Sequence, residues 1–491
     1  MTKLYQEKHR PQFHFSPKEK WMNDPNGMVF YNGEYHLFYQ YHPHGTTWGP
    51  MHWGHAVSGD LIHWEQLPVA LYPDEHGAIF SGSAVVDWND SSGFFNGESG
   101  LVAIYTSADS YPDSERPRQR QSLAYSRDNG RTWTKYKGNP VLSNEEITDY
   151  RDPKVFWFES SRKWVMVLAA GQSIRIYTST NLREWEFASE FGNGEGSHDG
   201  VWECPDLFQL PVDGDEKDQR WIMIVSIGDH PAFEEGSRTQ YFIGDFDGKH
   251  FISECPQKKA LWLDNGRDNY AGVSWSDIPV ENGRRIYIGW MSNWRYANQV
   301  PTREWRSAMT LPRELFLTRE SDGLCLRQLP VSEISTIRKN EAVFKDLIIE
   351  EGGPIDIRLN SRLLEIKMCF EPMDAFLFGM RCIHSTGESL VTTYDVKDKK
   401  FSLDRTQAGD SSFSESFAAV QNAQVDLVNG KLILHLFIDT SSIEVFINEG
   451  KSAFTSLYFP EGPPLGIELF AEGGNAVVHE LSICELKSIW E

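Results

Sequence analysis

The sequence predicts an all-β protein, a five-bladed β-propeller followed by a C-terminal β-sandwich. Three observations carry that expectation. Aromatics make up 13 % of the 491 residues, with 17 Trp and 39 Gly, a composition suited to strands and tight turns. A two-strand unit opening on a short polar motif recurs through the first two-thirds of the chain. After Leu329-Pro330 that unit stops and segments of period-two hydrophobicity take over. The length also exceeds the ~250–300 residues at which single cores stop growing, so two domains are expected.

The first copy opens on Trp21-Met22-Asn23-Asp24-Pro25-Asn26-Gly27. Pro25 fixes its own φ and pushes Asp24 toward extended geometry, so a carboxylate is held at a stiff strand entrance. Taken singly, such a stretch reads as an Asx-type turn that only starts a strand; its recurrence gives it weight. Residues 28–31 form the first strand, Asn32-Gly33 supplies hairpin turn chemistry, and residues 35–40 return. The second copy runs from Ser81-Gly82-Ser83 into 84–86, then 101–106. The third runs from Asp152-Pro153-Lys154 into 155–158, then 164–169. The fourth runs from Glu203-Cys204-Pro205-Asp206 into 207–208, then 221–225. The fifth runs from Asp268-Asn269-Tyr270 into 271–275, then 286–290.

A second marker follows the first four hairpins: 58–64, 126–133, 179–185 and 244–251, each a polar turn ending in an aromatic. Repeats of this size, each a small antiparallel sheet, are the signature of a propeller. An ordinary sandwich would not keep the two markers in order. In a propeller the innermost strand of each blade lines the channel, so Asp24, Asp152, Glu203 and Asp268 are expected to converge, with Ser81 and Phe80 at the equivalent place in the second copy.

Residues 1–330 are therefore read as the propeller and 331–341 as a linker with a short helical stretch at 331–337. Residues 342–491 are read as a β-sandwich with strands at 363–370, 375–380, 431–438, 442–447 and 465–470, and turns at Asn429-Gly430 and Glu449-Gly450. No carboxylate-Pro strand entrance occurs there, which predicts structural support.

Composition excludes several functions. Lys plus Arg is 47 against 70 Asp plus Glu, a net charge of −23 that repels phosphate backbones and anionic lipid, so nucleic acid and membrane are not expected partners. The cysteines at 204, 255, 325, 369, 382 and 484 contain no Cys-x-x-Cys pair, against both a disulfide framework and a zinc site. His36, His42, His44, His52 and His55 lack an accompanying carboxylate ligand pattern, so no metal and no cofactor is assigned. The first twenty residues lack an apolar signal region, which predicts a cytoplasmic address, with a secreted one as the alternative if a leader has been removed.

Converging carboxylates with aromatics and few basic groups fit glycoside hydrolysis, where one acid protonates a leaving oxygen while another carboxylate acts at the anomeric carbon. Arg151 is placed to hold a sugar hydroxyl or keep a neighbouring carboxylate charged. Trp21, Trp48, Trp202 and Trp290 offer flat faces to a sugar, against the alternative of packing between blades. Trp48 lies in the loop 46–50, which favours the channel. Cys204 reads as a packed thiol or a modulator of its neighbours. A narrow central funnel predicts attack on chain ends.

Together, 21–27, Phe80-Ser81-Gly82-Ser83, Arg151-Asp152-Pro153 and Trp202-Glu203-Cys204-Pro205-Asp206 resemble the signatures of glycoside hydrolase family 32, the invertase, inulinase and levanase family. The resemblance spans essentially the whole chain, including 439–446. It implies a retaining, exo-acting β-fructofuranosidase on terminal β-D-fructofuranosyl residues of sucrose, levan or inulin. Asp24 would be the nucleophile, Glu203 the general acid/base and Asp152 the transition-state stabiliser. Asn23, Gln40, Trp48, Phe80, Ser81 and Arg151 match the family's fructose pocket, and Asp268, Tyr270 and Trp290 are expected to join them. Segments 48–57, 67–74 and 301–307 resemble bacterial exo-levanases and inulinases more than sucrose-phosphate hydrolases. Two rival readings are an inverting arabinan- or xylan-cleaving propeller, with carboxylates ~6.5–9.5 Å apart rather than ~5–5.5 Å, and a lectin-like propeller that binds sugar without cutting it.

Overall fold

The computed structural model describes residues 4–254, 260–279 and 282–490, so Cys255 lies outside the described residues. Each repeat begins as an antiparallel hairpin: Lys20–Tyr31 with Glu34–His42, Ala78–Asp87 with Gly100–Ser110, Tyr150–Phe158 with Lys163–Ala170, Trp202–Val212 with Asp215–Ile227, and Tyr270–Ser274 with Arg285–Met291. The return strands read as near-continuous apolar runs because sheets cover both their faces; in Lys163–Ala170 every residue after Lys163 is buried. Asn32 and Gly33 close the first hairpin at φ +49° and +84°, the left-handed pair that matches strand twist.

The second marker has one physical design. In the first copy Asp60 accepts from the amides of Ile62 and His63, Leu61 turns at φ +66°, and Trp64 Nε1 donates to the Leu61 carbonyl at 3.1 Å. Asp128 with Trp133 and Asn181 with Trp185 repeat it, each indole closing on a carbonyl three residues back. Asp247 caps the fourth turn in the same way, ahead of Phe251.

The opening strands lie side by side: the Asp24 strand against the Ser81 strand, then the Asp152 strand, the Glu203 strand and the Tyr270 strand, which lies against the Asp24 strand and closes the ring. The Glu203 hairpin joins the last sheet through one parallel pair, Val212 with Leu317. Trp305–Arg306 returns to pair in parallel with Lys20 and Trp21, tying the end of the ring to its beginning.

Beyond Pro330 a 3-10 helix spans Ser332–Ile337, and the next strand, Arg338–Ile349, begins inside the stretch expected to be linker, because residues 338–349 pair with Ala476–Leu486. Two six-stranded antiparallel sheets follow, packed over one apolar core that includes Ile366, Phe378, Leu403, Val445 and Phe454. The seam with the ring is apolar and charged together. Phe437, Phe446 and Leu486 share a core with Phe13, Met309 and Leu311. Buried His14 bridges Asp439 and Glu444 at 2.8 Å each, and Arg313 bonds both Glu444 and Asp264.

Candidate active site

The site is built from bulges. In each opening strand two residues oppose one on the return strand: Asn23-Asp24, Phe80-Ser81, Asp152-Pro153, Cys204-Pro205 and Ala271-Gly272. A bulge breaks the ladder and re-aims a side chain. It is also where a strand tolerates proline, which has no N–H for the ladder, so the Asp-Pro and Cys-Pro pairs are the sequence trace of this geometry. Asp152, Cys204 and Ala271 carry φ of +65°, +46° and +53°, conformations costing roughly 1–3 kcal/mol each for non-glycine residues. Each strained amide is held from the preceding unit: Asp152 N donates to Thr106 Oγ1 at 3.0 Å, Cys204 N to Asp152 Oδ2 at 3.0 Å, and Ala271 N to Ser226 Oγ at 3.1 Å.

These bulges put Asp24, Asp152 and Glu203 into one pocket of about 750 Å³, walled by Asn23, Gln40, Trp48, Phe80, Ser81 and Arg151. Asp24 accepts from Asn23 Nδ2 at 3.0 Å and Ser81 Oγ at 2.8 Å. Glu203 is gripped from both sides, Oε1 by Arg151 Nη2 at 2.8 Å and Oε2 by the Tyr270 hydroxyl. Cys204 Sγ lies 3.7 Å from Asp24 Oδ2 and 3.6 Å from Asp152 Oδ2. Burial and the surrounding carboxylates push this thiol well above its ordinary pKa, so it is a neutral filler between two acids.

The electrostatics follow from crowding acids at the base of the pocket. Burial, and then the charge of Glu203, raise Asp24 to about 6. Burial also raises Asp152, with Arg151 opposing and Glu203 and Asp24 reinforcing the shift. Burial works against the Arg151 charge, yet Glu203, Asp152 and Asp149 hold it above its ordinary value. The arrangement keeps one fixed cation within reach of Glu203, Asp149 and Asp152 at the base of the pocket.

Residues 14–330 match the N-terminal domain of glycosyl hydrolase family 32, and residues 333–485 match that family's C-terminal domain. The chain belongs to glycosyl hydrolase family 32. It is 53 % identical to a levanase of Bacillus subtilis over its whole length and 72 % of that relative. A Bacillus sp. levanase is 38 % identical, and 99 % of the chain spans only 53 % of that relative. Among solved structures, the Aspergillus awamori exo-inulinase superposes with a TM-score of 0.90 at 36 % identity, covering 99 % of this chain and all of its own. The Schwanniomyces occidentalis β-fructofuranosidase complexed with fructosyl-erythritol gives 0.89 at 32 %, covering 99 % of each chain.

Several residues expected at the site fall outside this pocket. Asp268 does not face the pocket: it is fully buried, with Arg405 Nη1 at 2.6 Å, the Tyr296 hydroxyl at 2.7 Å and the Leu457 amide at 2.9 Å, so its charge serves the seam. Tyr270, two residues on, is the member of that motif that reaches the carboxylates, through Glu203. Trp290 is fully buried beneath the wall, packed on Trp21, Tyr270 and Trp294, and Trp202 stacks on His198. Of the four candidate tryptophans only Trp48 lines the pocket, 49 % exposed in its loop. The sequence reading missed Trp294, Gln119 and Asp149, which line the wall together with part of the stretch 108–117. Trp294 follows the fifth hairpin and Gln119 sits on an outer strand, so neither carries the repeat's marker. Asp149, two residues before Arg151 in 149–153, was legible as an acid beside a motif.

Proposed function

We propose that this glycoside hydrolase is a retaining, exo-acting β-fructofuranosidase that removes terminal β-D-fructofuranosyl units from sucrose and fructans such as levan and inulin. The observation that carries the reading is the convergence of Asp24, Asp152 and Glu203, from three bulged strand entrances, on the floor of one pocket. The named activities of the levanase and exo-inulinase relatives support it. We read the sheets before Pro330 as five blades around the pocket, joined through the 3-10 helix Ser332–Ile337 to a sandwich domain whose first strand starts at Arg338 rather than at 342.

In this reading Asp24, ionised and aligned by Asn23 and Ser81, attacks the anomeric carbon as the glycosidic bond breaks. Glu203 gives its proton to the leaving oxygen. The product is a fructosyl ester on Asp24. Glu203 then takes a proton from water, which attacks the same carbon and frees fructose with retained configuration. Asp152, anchored by the Cys204 amide, accepts from ring hydroxyls as positive charge develops. Trp48 and Phe80, whose rings lie 6.1 Å apart, present apolar faces to the sugar.

The test is Glu203→Ala on two substrates, with NMR of the first-formed anomer. Sucrose turnover should fall by several powers of ten, while a fructoside whose leaving group needs no proton should suffer far less. Inverted product, or equal loss on both substrates, would remove the assignment.

A further inference from the structure

Arg151 is gripped at both edges of its guanidinium. Nε and Nη2 meet Glu203 Oε1 at 3.2 and 2.8 Å. Nη1 meets Asp149 Oδ1 at 2.5 Å and Gln119 Oε1 at 3.2 Å. Asp149 is itself fixed, because its carbonyl accepts from the Gly171 amide at 2.8 Å. Gln119 Oε1 also accepts from the Tyr150 amide at 2.8 Å, so the amide that meets Nη1 is tied to the start of the Asp152 strand. Arg151 has another carboxylate within reach, Asp152 Oδ2 at 4.0 Å from Nε. What keeps the fork on Glu203 is the pull at its far end.

We propose that Asp149 is a positioning residue for the proton-transfer step. It holds Arg151 in the one rotamer whose near edge fixes Oε1 of Glu203, and it acts on the reaction only through that arginine. The proposal rests on the reading of Glu203 as general acid/base. Asp149 is 37 % exposed in the pocket wall, so its truncation leaves no buried hole. It does leave a long cation free to swing between Glu203 and Asp152, and a proton donor displaced by a fraction of an ångström loses near-attack geometry.

The experiment compares Asp149→Ala and Asp149→Asn with wild type on sucrose and on a nitrophenyl β-fructofuranoside, whose leaving group needs little protonation. Asp149→Ala should lower kcat on sucrose about ten- to a hundredfold, the worth of a charge-assisted hydrogen bond, with KM and the melting temperature nearly unchanged. On the nitrophenyl substrate its loss should stay below about threefold. Asp149→Asn keeps the Oδ1 acceptor and should recover most of the sucrose activity. In a Glu203→Ala background, adding Asp149→Ala should not produce the further ten- to a hundredfold loss on sucrose that additivity would give, since residues acting as a unit are non-additive. Equal losses on both substrates, an effect on KM alone, or additivity in that background would overturn the proposal. If Glu203→Ala by itself shows no dependence on leaving group, the acid/base assignment fails and this proposal falls with it.

Discussion

At the scale of single residues the pocket crowds Asp24, Asp152 and Glu203 around the guanidinium of Arg151. Asp24 accepts hydrogen bonds from Asn23 and Ser81 and a longer contact from the Cys204 thiol, and its burial beside Glu203 lifts it to about 6. A nucleophile must be ionised, so its contribution is present above that value and is lost as pH falls through it. The kcat/KM profile on sucrose should therefore show an acid limb near pH 6. A profile flat down to pH 4.5 would contradict the raised carboxyl. Asp24→Asn removes the attacking oxygen while preserving size, and should cost several powers of ten on every fructoside. A purified Asp24→Asn enzyme holding a tenth of wild-type turnover would remove Asp24 from the mechanism.

At the scale of elements, the seam between ring and sandwich is held by several fully buried charge pairs. Arg405, from the strand Lys400–Gln407, reaches Asp268 and Tyr296 with no solvent around it. Removing one partner leaves a buried unpaired charge, a penalty of ~3–5 kcal/mol. Arg405→Met should thus lower the free energy of unfolding, measured by denaturant titration, by an amount of that order, and Asp268→Asn with Arg405→Met should recover part of it. No recovery in the double variant would show the pair to be energetically uncoupled. His14 adds a pH dependence. Burial opposes its charge, but Asp439 and Glu444 raise it to about 9. Because the folded value exceeds the unfolded one, ~6.5, its stabilisation is complete below pH ~6.5 and fades as pH rises through about 9. The melting temperature should decline across that window in the wild type, and the decline should flatten in His14→Asn.

At the scale of the whole molecule, a closed ring of opening strands gathers residues from four distant hairpins at one end and leaves little beneath them. Below the carboxylates the space between Pro25, Asp152, Lys154 and Cys204 shrinks to about 10 Å³, room for one water. A sugar ring can enter from the wide side only, and a chain has no exit at the base. Internal linkages then cannot reach the ~3–3.5 Å of attack geometry. On levan or inulin, fructose should be the only small product from the earliest time point, while polymer length falls slowly. Early di- and trisaccharides would mean that chains cross the site, and the terminal-unit reading would fail.

The sequence by itself determined the repeating hairpins, the turn at Asn32-Gly33, the change of architecture after Pro330 and the acids Asp24, Asp152 and Glu203. Each of these is written in local chemistry: proline placement, left-handed turn residues and hydrophobic period. It did not determine which residues of a motif face the pocket. Asp268 and Tyr270 stand two apart in one stretch, yet the bulge at Ala271-Gly272 and the cation of Arg405 send the acid to the seam and leave the phenol on Glu203. Likewise Trp290 and Trp294 are equally aromatic, and only the packing of neighbouring sheets buries the first and leaves the second in the wall. Local sequence fixes backbone geometry because its causes are short-ranged. The destination of a side chain is set by partners far away in the chain, such as Arg405 for Asp268, 137 residues apart, and those exist only once the ring has closed on the sandwich.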